Sequence, residues 1–210
     1  MRLRLIIFDV DGTLIPVRSS WQYLHKKLGT WNRGRRYAQL FFEGRISYED
    51  WARLDASLWR GIPIARVRQI VRRIPYVRGA PSTIRVLKER GYRIVLLSAG
   101  LSVITDRISR ELGVDGAIAN ELLVRDGVLT GEVNVQVAFH NKDQVLQRLL
   151  PRFGVDVKEC AAVGDDETMI PLFRRVGLAI AFNPQNPVVE RSAHVTVRSE
   201  NLQDILPHLP

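Results

Sequence analysis

The sequence predicts an α/β fold, a Rossmann-like doubly wound parallel sheet with a small helical bundle inserted after the first strand. Three observations carry this. The chain opens on a short apolar run, Leu3 to Phe8. From Pro81 onward, strand-like and helix-like segments alternate. Between them, residues 16–80 differ from the rest in charge, aromatic content and hydrophobic period.

Leu3 to Phe8 is rich in Ile and Leu and reads as a buried strand. Residues 16–80 carry 14 Lys or Arg against 4 Asp or Glu, a net of +10, and hold all four tryptophans, Trp21, Trp31, Trp51 and Trp59. Pro16 marks one edge and Gly79-Ala-Pro81 the other. Inside, Trp21, Leu24 and Leu28 share one helical face, Trp51, Leu54 and Leu58 another, and Ile64, Val67, Ile70, Val71 and Ile74 form a third stripe. Ser47 precedes Tyr-Glu-Asp, an N-cap with acids in the first turn. The spacing therefore predicts about four helices.

The remainder reads in order as helix 82–90, strand 93–97, helix 101–112, a hairpin over 121–135 turning at Asp126-Gly127, helix 141–153, strand 160–163, helix 168–175 and strand 178–181. Short apolar segments at 195–197 and 202–206 close the chain. This order calls for a parallel sheet covered on both faces. The expected division is a core of 1–15 and 81–210 and a helical cap of 16–80.

Composition excludes several classes. A length of 210 residues with 46% hydrophobic and 25% charged residues is globular rather than disordered or fibrous. Asp9 cuts the first apolar run before a signal-peptide core or a membrane span can form, so a soluble, cytoplasmic protein with no membrane partner is expected. A single cysteine, Cys160, rules out an internal disulfide and a multi-cysteine zinc site. The net charge of +9 lies wholly in 16–80, since the rest sums to −1. Such an excess fits an anionic partner. Nucleic acid and a phosphorylated ligand both fit, and with no recognised nucleic-acid motif nucleic acid is not the expected partner. The sequence carries no signature of an oligomeric state.

In a doubly wound sheet, ligands bind beyond the carboxyl ends of the strands. Those positions hold Asp9, Asp11, Gly12 and Thr13 after the first strand, then Ser98, Ala99 and Gly100. Gly164, Asp165, Asp166 and Glu167 follow the third, and Lys142 opens the preceding helix. These residue types suit phosphoryl transfer. One carboxylate can be a nucleophile, and a second can pass a proton to the leaving oxygen. Magnesium accepts one or two carboxylates plus phosphate oxygens, while hydroxyls, backbone N–H groups and an ammonium hold the phosphate. Taken singly, Ser98 reads equally as a helix N-cap, Lys142 as an ordinary helix start, and Asp166 and Glu167 as acids favouring a helix N-terminus.

The run Asp9-Val-Asp11-Gly-Thr13 resembles the first motif of the haloacid dehalogenase-like hydrolases. Ser98, Lys142 and Gly164-Asp165 fall where that family has its second to fourth motifs. The inserted helices, Ile118-Ala-Asn120 before the hairpin, Leu129-Thr-Gly131 and Gly177-Leu-Ala-Ile-Ala resemble its phosphoserine phosphatase-like subgroup. The resemblance implies a Mg2+-dependent phosphomonoester hydrolase. Asp9 would be the nucleophile and Asp11 the general acid and base. Thr13, Ser98, Ala99, Gly100 and Lys142 would be grouped around the phosphate, and Asp9, Asp11, Asp165 and Asp166 around the metal. Two departures stand out. The subgroup's second acid in the fourth motif falls on Met169, so Asp166 is the expected replacement. The Glu and Arg with which the subgroup reads phosphoserine fall on Arg18 and Asp55, with charges reversed, so phosphoserine is a doubtful substrate and a small anionic ester selected by the basic cap is expected instead. Met169 also raises the alternative of a non-catalytic phospholigand-binding or regulatory protein.

Overall fold

The computed structural model describes residues 2–209. Seven strands form one sheet in the order β4-β3-β2-β1-β5-β6-β7, comprising β1 (Leu5–Phe8), β2 (Arg93–Leu101), β3 (Gly116–Arg125), β4 (Val128–Asn134), β5 (Cys160–Gly164), β6 (Leu178–Phe182) and β7 (Val195–Val197). All pairings are parallel except the β3–β4 hairpin, which turns at Asp126-Gly127 as the sequence predicts. Both faces of the central strands are buried, and successive residues face alternate cores. Ile6, Phe8, Ile94, Leu96, Ala161 and Val163 face one core, and Leu5, Ile7, Val95, Leu97, Cys160 and Ala162 face the other. Cys160 is fully buried there, a core residue.

Helices α5 (Ala80–Glu89) and α6 (Ser102–Leu112) cover the first face. Helices α7 (Lys142–Phe153), α8 (Ile170–Phe173) and α9 (Pro187–Ser192) cover the second. The predicted helix over 168–175 is a 3-10 turn, Glu167–Met169, leading into the short α8. The sequence reading places no element at α9, between the strand over 178–181 and the segment at 195–197. Pro187 sits at the first helical position, and the Asn186 side chain accepts from the N–H groups of Val188 and Val189. Strand β2 runs four residues beyond its expected end, with its register against β3 shifting between Leu97 and Leu101. Ser98, Ala99 and Gly100 therefore lie on this irregular strand end rather than after it.

Between β1 and β2 stand α1 (Ser20–Leu28), α2 (Trp31–Phe42), α3 (Tyr48–Ser57) and α4 (Ile64–Arg72). Ser47 and Asp50 form a reciprocal capping box at α3, the start signal expected from the sequence. Trp59 is fully buried and stacks on Trp21 at 5.7 Å between centroids. The insert is tied to the sheet. The Arg107 guanidinium donates to the carbonyls of Val71 and Ile74, and the Gly61 and Ile64 N–H groups donate to Leu129 and Gly127 of the hairpin.

Candidate active site

Parallel register brings three strand ends to one rim. Phe8 pairs with Leu96 on one side and Val163 on the other, so Asp9, Ser98 and Asp165 follow at nearly the same level. The Asp9 N–H continues the ladder to the Val163 carbonyl, and its Oδ1 accepts from the Val10 N–H at 2.7 Å. The other oxygen, Oδ2, meets the fully buried Lys142 Nζ at 2.8 Å. Lys142 reaches it from the first residue of α7, beneath the rim.

Gly12 makes the turn that brings Asp11 round. Its φ is +77°, and a Cβ there would lie 2.1 Å from Asp165 Oδ2, so glycine is required twice over. Asp11 Oδ2 then accepts from the Ser20 N–H at 2.6 Å, while Oδ1 is shielded and has no hydrogen-bond partner among the described residues. Asp165 is held through both oxygens, Oδ1 by the Thr13 hydroxyl and Oδ2 by the Gln185 amide. Ser98 Oγ accepts from the Gly100 N–H at 3.0 Å, bending the strand end around the hydroxyl.

Burial sets the electrostatics. It pushes the Asp9 carboxyl up to about 6, the neighbouring Lys142 opposing the shift and Asp166 adding to it. It pushes Asp11 up to about 7 against the pull of Ser20, and Asp165 up to about 8 with the help of Asp9 and Asp166. All three protonate more readily in the folded chain than unfolded, so their contribution to stability is fully present below pH 3.8 and lost as pH rises through about 6, 7 and 8. The metal-free protein is therefore expected to melt at progressively lower temperature across that window. Thermal scans in chelator from acid to mildly alkaline pH check this, and a flat profile would contradict it.

Above the rim lies a cavity of about 440 Å³. Asp9, Asp11, Ser98, Ala99, Gly100, Asp166 and Arg18 line it, as expected. Thr13 does not. It is fully buried and donates to Asp165, so it positions that carboxylate rather than touching phosphate. Asp166 has two tasks, because it lines the cavity while its Oδ1 accepts from the N–H and hydroxyl of Thr168, capping the 3-10 turn. Glu167 accepts from Asn186 on the rim. Met169 is fully buried, with Sδ 3.3 Å from Lys142 Nζ, so the position lacking an acid faces the ammonium.

Asp55 is the clear correction. It points into the core of the helical insert, 2% exposed, with its Oδ1 3.1 Å from His25 Nε2, and does not line the cavity. Positions 52, 55 and 56 form the inward face of α3, which turns Asp55 toward α1. Burial raises its carboxyl above the usual range, with His25 opposing. Asp55→Ala is expected to strip His25 of its buried partner and destabilise the fold by about 1–3 kcal/mol. Chemical denaturation measures that loss, and unchanged stability would mean the pair contributes nothing. Arg33, Arg35 and Arg36 are exposed on α2, away from the cavity. Arg18, by contrast, lines it.

Several contributors were not legible as site residues. Gln185 and Asn186 follow β6, and inspecting that fourth strand end as well would have found them. Trp21, Tyr48 and Asn120 converge on one atom, the Ala99 carbonyl, at 3.2, 2.6 and 2.8 Å. No local signal announces that junction. Among the described residues, no helix is long and apolar enough to cross a membrane.

A family model described as haloacid dehalogenase-like hydrolase matches residues 6–174. The chain is 32% identical over 207 residues to a phosphoserine phosphatase of Methanocaldococcus jannaschii, covering 98% of this chain and 97% of that protein. A phosphoserine phosphatase of Archaeoglobus fulgidus is also 32% identical, and there the chain spans 58% of the relative's length. Among solved structures, a phospho-aspartyl intermediate analogue of phosphoserine phosphatase superposes with a TM-score of 0.85 at 31% identity, over the whole of both chains.

Proposed function

The chain belongs to the haloacid dehalogenase-like hydrolases as a phosphatase of the phosphoserine phosphatase-like subgroup, and on that premise we propose that it cleaves a small phosphorylated substrate by transferring the phosphoryl group to Asp9. The observation that carries this is the Asp9–Lys142 pair set beneath Asp11, a carboxylate with a free, shielded oxygen.

Asp9 attacks phosphorus, and the bond to the ester oxygen breaks. Asp11, pushed up to about 7, holds a proton near neutrality and gives it to that leaving oxygen. Once the alcohol departs, the Asp11 carboxylate takes a proton from water, which attacks phosphorus and frees Asp9. Lys142 offsets the charge of Asp9 and of the phosphate. Ser98 and the backbone of Ala99 and Gly100 hold the phosphoryl oxygens. Thr13 and Gln185 fix Asp165, and the Ser20 N–H fixes Asp11.

The acids also fit Mg2+. Asp166 lies close enough to raise the proton affinity of Asp9, Asp11 and Asp165, Asp9 raises that of Asp11 and Asp165, and Lys142 is the one buried cation paired with Asp9 among the described residues. Among the described residues, no three Asp, Glu, His or Cys are gathered to hold a metal unaided. Magnesium does not need three, since one or two carboxylates suffice when phosphate oxygens and waters complete the octahedron. Asp9 and Asp165, with the Asp11 backbone carbonyl, would hold the ion, and Asp166 would stand beside it at the rim. Bound there, the ion would neutralise charge between an anionic nucleophile and an anionic substrate.

Incubating the full chain with phosphomonoesters tests the proposal. Inorganic phosphate release that needs Mg2+ and stops in chelator is expected. Its absence across the panel would favour a phospholigand-binding role, the reading that Met169 motivates.

A further inference from the structure

The substrate's alcohol is the part that neither the rim chemistry nor the family specifies. Opposite the acids, the cavity wall is formed by Trp21, Phe42, Tyr48, Trp51 and Phe139. Phe42, Tyr48, Trp51 and Phe139 belong to one packed cluster around Phe41, while Trp21 stacks on Trp59. Phe41 stacks on Trp51 at 4.8 Å between centroids, Phe42 meets Trp51 at 5.8 Å and Phe139 at 6.4 Å, and Tyr48 meets Trp51 edge-on at 5.7 Å. The polar tips of Trp21 and Tyr48 are both spent on the Ala99 carbonyl, so those residues turn ring surface rather than hydrogen-bonding groups toward the space. Phe42 is 68% exposed, an uncommon position for a large apolar side chain, and it stands at the cavity edge.

Resting on the phosphatase reading above, we propose that the substrate is the phosphomonoester of an alcohol bearing an aromatic ring. The phosphate lies on the rim between Asp9 and Ser98, and the ring stacks among Phe42, Trp51 and Phe139. Phe42, left to water in the free protein, becomes covered. Aromatic pairs favour offset or edge-to-face contact, which a wall of tilted rings supplies at several angles. A zwitterionic amino-acid ester fits poorly. Its ammonium and carboxylate would be stripped of water against ring faces, and among the described residues Arg18 is the one cation lining the cavity. Glu167 and Asp166, the acids outside the catalytic pair, already accept from Asn186 and Thr168. Arg18 also repels a cationic headgroup, which separates this wall from a cage for quaternary ammonium.

The test compares 2-phenylethyl phosphate, n-propyl phosphate, phosphoserine and phosphocholine on the full chain with Mg2+. All four release an alkyl alcohol, so aryl leaving-group activation does not enter. The expected result is a kcat/KM for 2-phenylethyl phosphate at least about tenfold above the other three, since apolar contacts of this size are worth roughly 10–200-fold. Phe42→Ala and Trp51→Ala should shrink the ratio of 2-phenylethyl to n-propyl phosphate toward one, and Trp51→Phe should keep most of it. Phe42 is the safer site, because its exposure leaves little packing to lose. Binding is read separately by tryptophan fluorescence on Asp9→Asn, where 2-phenylethyl phosphate should bind at least about tenfold tighter than n-propyl phosphate. Phosphoserine or phosphocholine leading the panel, or a ratio unmoved in Phe42→Ala, overturns the proposal. If no ester is hydrolysed, the phosphatase reading falls. If 2-phenylethyl phosphate then also shows no preference on Asp9→Asn, the aromatic subsite falls with it.

Discussion

Asp9→Asn is expected to reduce phosphate release by about 10,000-fold or more while leaving the fold intact, a loss of the size seen when a nucleophile is removed. The amide matches the carboxylate in shape, and its oxygen can still accept from Lys142 Nζ, now 2.8 Å from Asp9 Oδ2. It cannot donate an electron pair to phosphorus as readily, and it carries no charge. The substitution also removes one of the carboxylates that raise Asp11 and Asp165, so the site loses repulsion as it loses the ion pair. Circular dichroism of the variant should be unchanged, which separates the loss of turnover from a loss of fold. Near-normal turnover in this variant would remove Asp9 from the mechanism.

Lys142→Ala should damage both activity and stability, the second in a pH-dependent way. Lys142 is fully buried, and it places its charge between Asp9 and the Met169 sulfur. Removing one partner of a buried ion pair costs about 3–5 kcal/mol because the other charge is stranded. Asp9 can escape by taking up a proton, since burial already raises it to about 6 and losing Lys142 removes the main opposing influence. Its folded-state proton affinity then lies above the unfolded one by more than before, so stability is lost as pH rises through the raised value. Denaturation curves should show a small deficit near pH 5 and a large one near pH 8. A deficit equal at both would show that the lysine stem's packing matters and its charge does not. Turnover should fall by roughly 100-fold or more, the usual cost of losing a preorganised charge at a reacting oxyanion.

Much of this site was legible because strand ends are legible. Apolar runs such as Leu5–Phe8 and Cys160–Gly164 are short and bounded, and the residues just after them are confined to one rim by parallel pairing. Asp9, Asp11, Ser98 and Asp165 could therefore be gathered from strand ends, whereas Lys142, at the start of a helix, took its place through the family resemblance. The helical insert was legible from composition and period, down to the Ser47 cap. Asp55 was misplaced because its position along α3 specifies a face of the helix but not what that face meets. Thr13 was misassigned for a similar reason, since a hydroxyl beside a phosphate site can serve the substrate or a neighbouring carboxylate, and here it is committed to Asp165.

The sequence by itself determined the α/β order, the inserted helices and the candidates for the reacting groups. Each depends on local periodicity or on proximity along the chain. Tertiary structure alone decided which charges meet. It sent Asp55 to His25, set Met169 against Lys142 and left Arg33, Arg35 and Arg36 in solvent. It also drew Phe42, Trp51 and Phe139 together across a chain separation of nearly a hundred residues into one wall facing Asp9. Contacts of that kind arise from how the insert docks on the β3–β4 hairpin and on the Ala99 carbonyl, and no window along the chain contains them. The basic excess that dominates the composition proved to be mostly solvated surface, and the cavity it surrounds is walled by aromatic rings.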